Sequence, residues 1–173
     1  HTVGDMLLAA NRESKQFSIA VDALSAITIN GKSGIALWCE TKQTHWTTSS
    51  YYRSSLPQWI SEYNRHDSNR FYAQRRWTPY YVSSLYINSE VAIMKEIRAK
   101  TTRQIIGIDS NIADDAIGVM RYTPAGNSMV LNFARNVISF EGLGADENPD
   151  ILNICLDTSR YIAMTYGPES IEY

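Results

Sequence analysis

The strongest local signals for secondary structure lie in residues 1–40, HTVGDMLLAA NRESKQFSIA VDALSAITIN GKSGIALWCE. Thr2 followed by Asp5 is typical of the capping box that begins a helix. Apolar residues then recur at steps of three and four, which is typical of one face of a helix: Val3, Met6, Leu7, Ala10, Phe17, Val21 and Leu24. The first part of the stretch therefore predicts one long amino-terminal helix over residues 2–26.

The second part of the stretch predicts a β-hairpin. A β-branched run, Ile27 to Ile29, precedes Asn30-Gly31, and a second strand-like run follows from Gly34 to Glu40. An Asn-Gly pair between two such runs is the strongest short-range signal for a hairpin turn. We therefore expect two antiparallel strands here.

The remaining segments predict one domain of the α+β class. We expect helices over residues 54–63 and 149–166, the second beginning at Asn148-Pro149. The strands that we expect downstream do not alternate regularly with helices; they cover residues 81–87, 104–109, 116–122 and 129–140, with a turn at 124–127. The prediction is a mainly antiparallel sheet with a long amino-terminal helix and a carboxyl-terminal helix, in a single domain over residues 1–173.

Composition excludes several classes of protein. The chain has 173 residues, 44% of them hydrophobic and 20% charged, as in ordinary globular proteins. Its formal net charge is −2, so we expect no nucleic-acid partner. No apolar run approaches the roughly 20 residues that span a bilayer. We therefore expect contact with a membrane only through segments outside this chain.

Catalytic sequence templates are absent, so we expect binding rather than catalysis. The chain has no P-loop, no nucleophile elbow and no C-x-x-C pair. The spacing of metal ligands is absent from the candidate residues Cys39, His45, His66 and Cys155. We therefore predict neither a metal site nor a cofactor. Whether Cys39 and Cys155 form a disulfide is left open by the sequence.

Residues 65–81, RHDSNRFYAQRRWTPYY, contain four arginines and five aromatic residues. Guanidinium groups bind carboxylates or phosphates in pairs of hydrogen bonds, and aromatic faces stack on cations or planar ligands. This mixture suits a small anionic or zwitterionic ligand, a single-stranded nucleic acid or a protein interface. The alternative is that this segment has no binding function: the aromatic rings then lie in the hydrophobic core, and the arginine side chains extend to solvent.

The same residues resemble a known family. The chain resembles the Cache sensor domains, which have PAS-like folds. The resemblance lies in Arg75-x-Trp77, in the tyrosines Tyr80 and Tyr81 that follow, and in the run Gln104 to Asp109. The resemblance implies that Arg75 binds a ligand carboxylate, that Trp77 walls the pocket and that Asp109 binds an amino group. It also implies a periplasmic or extracellular location, and we expect a homodimer through the amino-terminal helix.

The first functional hypothesis is therefore a sensor domain of a membrane-anchored signal-transduction protein, which binds a small polar or zwitterionic ligand. The second is a secreted or effector enzyme that acts on a nucleotide or phosphate ligand, with Glu169 or Glu172 as its carboxylate. The third is a structural or protein-interaction module that uses the aromatic residues as its interface.

Overall fold

The computed structural model describes residues 1–40, 45–66, 69–73, 81, 85, 120–168, 170 and 173. Six helices and four strands lie in these ranges. In chain order they are α1 Val3–Ala10, β1 Gln16–Ala20, α2 Ala23–Asn30, β2 Ile35–Cys39, β3 Trp46–Thr47, α3 Gln58–Arg65, α4 Arg70–Ala73, α5 Pro124–Glu141, β4 Ile151–Ile154 and α6 Thr158–Tyr166.

The four strands form one sheet in the order β3-β2-β1-β4. β1 pairs in parallel with both neighbours, so that Phe17 lies beside Ile35 of β2 and Leu152 of β4. Only the short strand β3 is antiparallel to its neighbour. The prediction of an α+β fold is confirmed, but the prediction of a mainly antiparallel sheet is wrong. The connection from β1 to β2 runs through a helix, and such a crossover joins parallel strands.

The prediction of a long amino-terminal helix is also wrong, because α1 ends at Ala10. The Asn11 side chain accepts a hydrogen bond from the Glu13 amide at 3.0 Å and donates one to Asn148 at 3.0 Å, which turns the chain out of the helix. The next element is the strand β1, and all of its residues are buried. Phe17 in this buried strand and Val21 directly after it fall at the three- and four-residue steps of the upstream apolar residues, so they also matched the helical spacing.

The predicted hairpin at Asn30-Gly31 is replaced by a helix end. Residues 27–30 are the last turn of α2, and Gly31 follows with a φ of 79°, a conformation that glycine adopts at little cost. The capping box at the start of α1 is confirmed. The Asp5 carboxylate, which is 4% exposed, also accepts the amides of Lys32 and Ser33 at 2.9 and 2.8 Å, and it thereby joins α1 to the loop after α2.

Two further predictions are corrected in the carboxyl-terminal part. Residues 124–141, predicted as a turn and a strand, are the helix α5; Pro124 occupies its first turn and Gly142 ends it with a φ of 63°. The helix predicted over 149–166 is instead β4 followed by α6. Helix α3 agrees with the predicted helix over 54–63 in its position.

Two layers of helices cover the sheet. On one face, small residues of the sheet, Ala20 and Ala36, pack against Ala26 of α2. On the other face, Phe17, Ile19 and Leu37 join α3 and α5 in the main core. Within this core the rings of Trp46 and Phe133 stack at 3.9 Å between centroids. No helix among the described residues combines the length and the hydropathy that crossing a membrane requires.

Candidate functional site

The candidate site lies where the parallel strands β1 and β4 end. The chain leaves β1 through α2 towards β2 on one side, whereas β4 lies on the other side of β1. In parallel sheets, a change of direction of this kind leaves a crevice outside the carboxyl ends of the two strands, and ligands bind there. Asp22 follows β1 in this crevice, and Asp157 follows β4.

Three helices begin at this edge of the sheet. α2 starts after Asp22 and α6 after Asp157, and the Asp22 amide donates a hydrogen bond to the Asp157 carboxylate at 3.2 Å. α5 is adjacent, because a Cβ atom on its Gly126 would lie only 2.5 Å from the Thr158 methyl carbon. Helix amino termini carry partial positive charge, so their convergence favours an anion.

Asp22 is held by three donors. Its carboxylate accepts the Leu24 amide, the Tyr161 hydroxyl at 2.8 Å and the Arg160 guanidinium at 3.0 Å. Burial works against ionisation of Asp22, but these hydrogen bonds outweigh it, and the pKa of the carboxyl group is lowered. Asp22 is therefore ionised at neutral pH and holds Arg160 in place.

Two cations flank the Tyr161 ring. The guanidinium carbons of Arg121 and Arg160 lie 5.2 and 4.8 Å from the centre of that ring. Burial and the hydrogen bond to Asp22 raise the pKa of Tyr161, so the hydroxyl keeps its proton. The side chain of Arg160 is 48% exposed, which leaves part of its guanidinium available to a ligand.

The two cysteines are not paired. Burial raises the pKa of the Cys39 thiol to about 12, and burial followed by the charge of Asp157 raises that of Cys155. Both thiols are therefore protonated at neutral pH and are poor nucleophiles. Among the described residues, no three His, Cys, Asp or Glu side chains form a group that could hold a metal ion.

Buried polar atoms without a hydrogen-bond partner, within the part of the chain that is described, fall into two groups. One group is at this carboxyl edge of the sheet: Arg121 Nε, Asn127 Oδ1, Asp157 Oδ1 and Thr158 Oγ1. The other group is at the opposite, amino edge: Ser14 Oγ, Gln16 Oε1 and Asn30 Oδ1. Buried polar groups are normally paired, so atoms of this kind mark places for water or ligand.

The site predicted from the sequence is a different one. Arg75, Trp77, Tyr80 and Asp109 lie outside the described residues, as do Glu169 and Glu172. Tyr81 is described, and its side chain is 60% exposed. The signal for the observed site was an aspartate after each of two short apolar runs, in Val21-Asp22 and Leu156-Asp157, at the start of a helical pattern.

Three curated proteins are similar to almost the whole chain. Alkaline phosphatase PhoV of Synechococcus elongatus is 28% identical over 99% of this chain and 32% of its own length. A protein of Myroides odoratus named calcium-transporting ATPase is 29% identical over 99% of the chain and 33% of its own length. Alkaline phosphatase PafA of Elizabethkingia meningoseptica is 27% identical over 99% and 32%. The chain thus spans about a third of the length of these relatives.

Solved structures of alkaline phosphatase PafA are similar to the fold. The wild-type crystal structure aligns with a TM-score of 0.78 at 21% identity, over 98% of this chain and 34% of that one. A variant of the same enzyme aligns with a TM-score of 0.77 at 20% identity, over the same shares. No protein-family model matches the chain.

These findings overturn the Cache resemblance and the sensor and signal-transduction function inferred from it. The motifs behind that resemblance were short, whereas the similarity to the phosphatases extends over nearly the whole chain. The relatives support the alternative of an enzyme acting on a phosphate ligand better than a sensor domain. The fold is therefore similar to about a third of the alkaline phosphatase PafA structure, and it is not that of a PAS-like sensor.

Proposed function

We propose that this chain contributes the carboxyl edge of its sheet to the phosphate-binding site of a phosphate-ester hydrolase. The observation that carries the proposal is the convergence of the amino termini of α2, α5 and α6 beside Arg160. Backbone amides at helix starts and a guanidinium group are the donors that phosphoryl oxygens accept. The names of two relatives, both alkaline phosphatases, support the same chemistry.

The proposed role of this edge is electrostatic. In hydrolysis of a phosphate ester, water forms a bond to phosphorus, the bond to the ester oxygen breaks, and the leaving alcohol takes a proton. Negative charge is spread over the phosphoryl oxygens during this transfer, and fixed donors stabilise it. Arg160 would supply two such donors, and Asp22 would orient it through the 3.0 Å ion pair.

Two measurements test the proposal. The protein should release nitrophenol from p-nitrophenyl phosphate, and the chain should bind inorganic phosphate in titration calorimetry. Arg160→Leu should weaken phosphate binding at least tenfold, because about 1.5–3 kcal/mol is the usual contribution of a hydrogen bond to a charged group. The matched control is Arg135→Leu, an exposed arginine in the middle of α5, which should leave binding unchanged.

Two results would contradict the proposal. One is the absence of turnover on both a phosphate monoester and a diester, together with no binding of phosphate. The other is an equal loss of phosphate affinity in the Arg160 and Arg135 variants, which would indicate a nonspecific effect of net charge. A periplasmic or extracellular location belongs to the same proposal, and cell fractionation tests it.

A further inference from the structure

A cavity of about 260 Å³ opens at the amino edge of the sheet, at the opposite end of β1 from the candidate phosphate site. Its apolar wall is made by Leu8 of α1, Phe17 of β1 and Ile35 of β2. Apolar walls with a few placed polar groups are typical of sites for small molecules.

Two buried polar side chains of the cavity lining, those of Ser14 and Gln16, each have an oxygen atom without a partner among the described residues. Ser14 is 5% exposed and Gln16 is 3% exposed. The Gln16 amide nitrogen donates to the Asn30 carbonyl at 2.5 Å, which assigns the orientation of the amide and leaves its oxygen, Oε1, as an unused acceptor. A buried acceptor without a partner is uncommon, because leaving it unpaired is costly.

Both signs of charge are also present in the lining. The exposed side chain of Arg53 forms no hydrogen bond or ion pair with the rest of the described chain; only its backbone amide is engaged, with the Ser49 carbonyl at 3.2 Å. Glu141 supplies a carboxylate, of which only one oxygen is engaged, by the Trp59 indole N–H at 2.8 Å. Lys15 is already committed, because its ammonium donates to the carbonyls of Glu141 at 2.9 Å and Gly142 at 3.4 Å. The groups available to a ligand are therefore the Arg53 guanidinium and one oxygen of the Glu141 carboxylate.

We propose that this cavity binds a small zwitterion of the α-amino-acid class with an apolar side chain. The ligand carboxylate pairs with Arg53, and its ammonium group donates to Glu141. The ligand side chain lies against the apolar wall formed by Leu8, Phe17 and Ile35. The proposal does not depend on the phosphate site, since the two groups of unpaired atoms lie at opposite edges of the sheet.

Titration of the full chain with three matched compounds tests the proposal. L-leucine has both charges, N-acetyl-L-leucine lacks the ammonium group and L-leucinamide lacks the carboxylate. We expect L-leucine to bind and to raise the midpoint of thermal unfolding, by mass action on the folded state. The other two compounds should bind at least tenfold more weakly. Equal binding of all three would overturn the proposal in favour of an apolar slot, and binding of none would overturn it outright.

Two substitutions assign the binding to this cavity. Arg53→Leu and Glu141→Gln should each weaken L-leucine binding at least tenfold, and the second keeps an acceptor for Trp59. Arg12→Leu, at an exposed arginine outside the lining, is the control and should leave binding unchanged. Phosphate binding should be intact in all three variants, so that failure here is distinguishable from failure of the hydrolase proposal. L-leucine binding that survives both cavity substitutions would overturn the assignment.

Discussion

Tyr161 connects the charged groups at the carboxyl edge of the sheet. Its hydroxyl donates to Asp22 at 2.8 Å and accepts from Arg160 at 3.1 Å, and its ring lies under two guanidinium groups. Asp22 is thus joined to residues 138 and 139 positions away. One hydroxyl group therefore determines where both the carboxylate and the arginine lie.

Replacing Tyr161 by Phe should lower the free energy of unfolding by about 0.5–1.5 kcal/mol at neutral pH, the usual contribution of one hydrogen bond. The pKa of Asp22 is lowered in the folded state, so its contribution is present above the unfolded value of about 3.9 and is lost as the pH falls through the folded value. The difference between Tyr161→Phe and wild type should therefore shrink in acid. Urea unfolding at about pH 7 and about pH 3 measures it.

The control for this substitution is Tyr122→Phe. Tyr122 packs edge-on against Tyr161 at 5.7 Å, and its hydroxyl makes no hydrogen bond within the described ranges. Its removal should change the stability by less than about 0.5 kcal/mol at either pH. A loss in Tyr122→Phe equal to that in Tyr161→Phe would show that ring packing, and not the bond to Asp22, carries the effect.

At the residue scale, the sequence allows local contacts to be predicted but not distant ones. The bond between Thr2 and Asp5 spans three positions and follows from a known pattern, and it is confirmed. No comparable pattern links Asp22 to Arg160, because only the folded sheet brings them together. The candidate site was therefore missed, although each aspartate stands in the position that caps a helix.

At the scale of elements, short apolar runs explain the errors. Phe17 and Val21 fit a helical spacing as well as a buried strand, and a run of five residues does not separate the two by periodicity. The run in α5 failed in the opposite way: Met129, Phe133 and Val137 lie four apart on its buried face, but alternation within 129–140 was taken as a strand. Helix α3, with a clear polar face, was predicted at the right place.

Gly126 should resist substitution although it lies within a helix. Glycine to alanine in a helix usually stabilises by about 0.5–1 kcal/mol. Here the added Cβ would lie 2.5 Å from the Thr158 methyl carbon and 3.0 Å from the Met120 carbonyl oxygen. Gly126→Ala should therefore destabilise by about 1–3 kcal/mol, as expected for overpacking, and should move α5 away from α6.

Chemical denaturation of Gly126→Ala beside Ser128→Ala measures this effect. Ser128 lies in the same helix, and its hydroxyl makes only an exposed bond of 3.4 Å to the Pro124 carbonyl, so its loss should be nearly neutral. If the proposed phosphate site depends on the start of α5, Gly126→Ala should also weaken phosphate binding. A stabilised Gly126→Ala protein would contradict the close approach of the two helices.

At the scale of the whole molecule, β1 joins the two ends of the described chain. It pairs with β2 from the amino-terminal part and with β4 from the carboxyl-terminal part. The Lys15 amide also donates to the Asp150 carboxylate at 2.6 Å, across 135 positions. The sequence predicted several strands but not their partners, because a strand pairs in either direction until the connecting elements decide. The parallel order became evident only in the folded sheet.

If residues 1–173 form a single domain, damage to β1 should weaken both halves together. Ile19 is fully buried in the main core, so Ile19→Ala should cost about 2–5 kcal/mol. Ile154→Ala, on the edge strand and 37% exposed, is the matched control and should cost much less. All four tryptophans lie within residues 38–77, so tryptophan fluorescence reports on the amino-terminal half, and hydrogen exchange of the β4 amides reports on the other half. Both transitions should move to the same lower denaturant concentration in Ile19→Ala, because β1 carries the hydrogen bonds of both neighbours. Loss of protection in β4 while the fluorescence transition stays unchanged would instead divide the chain into two units.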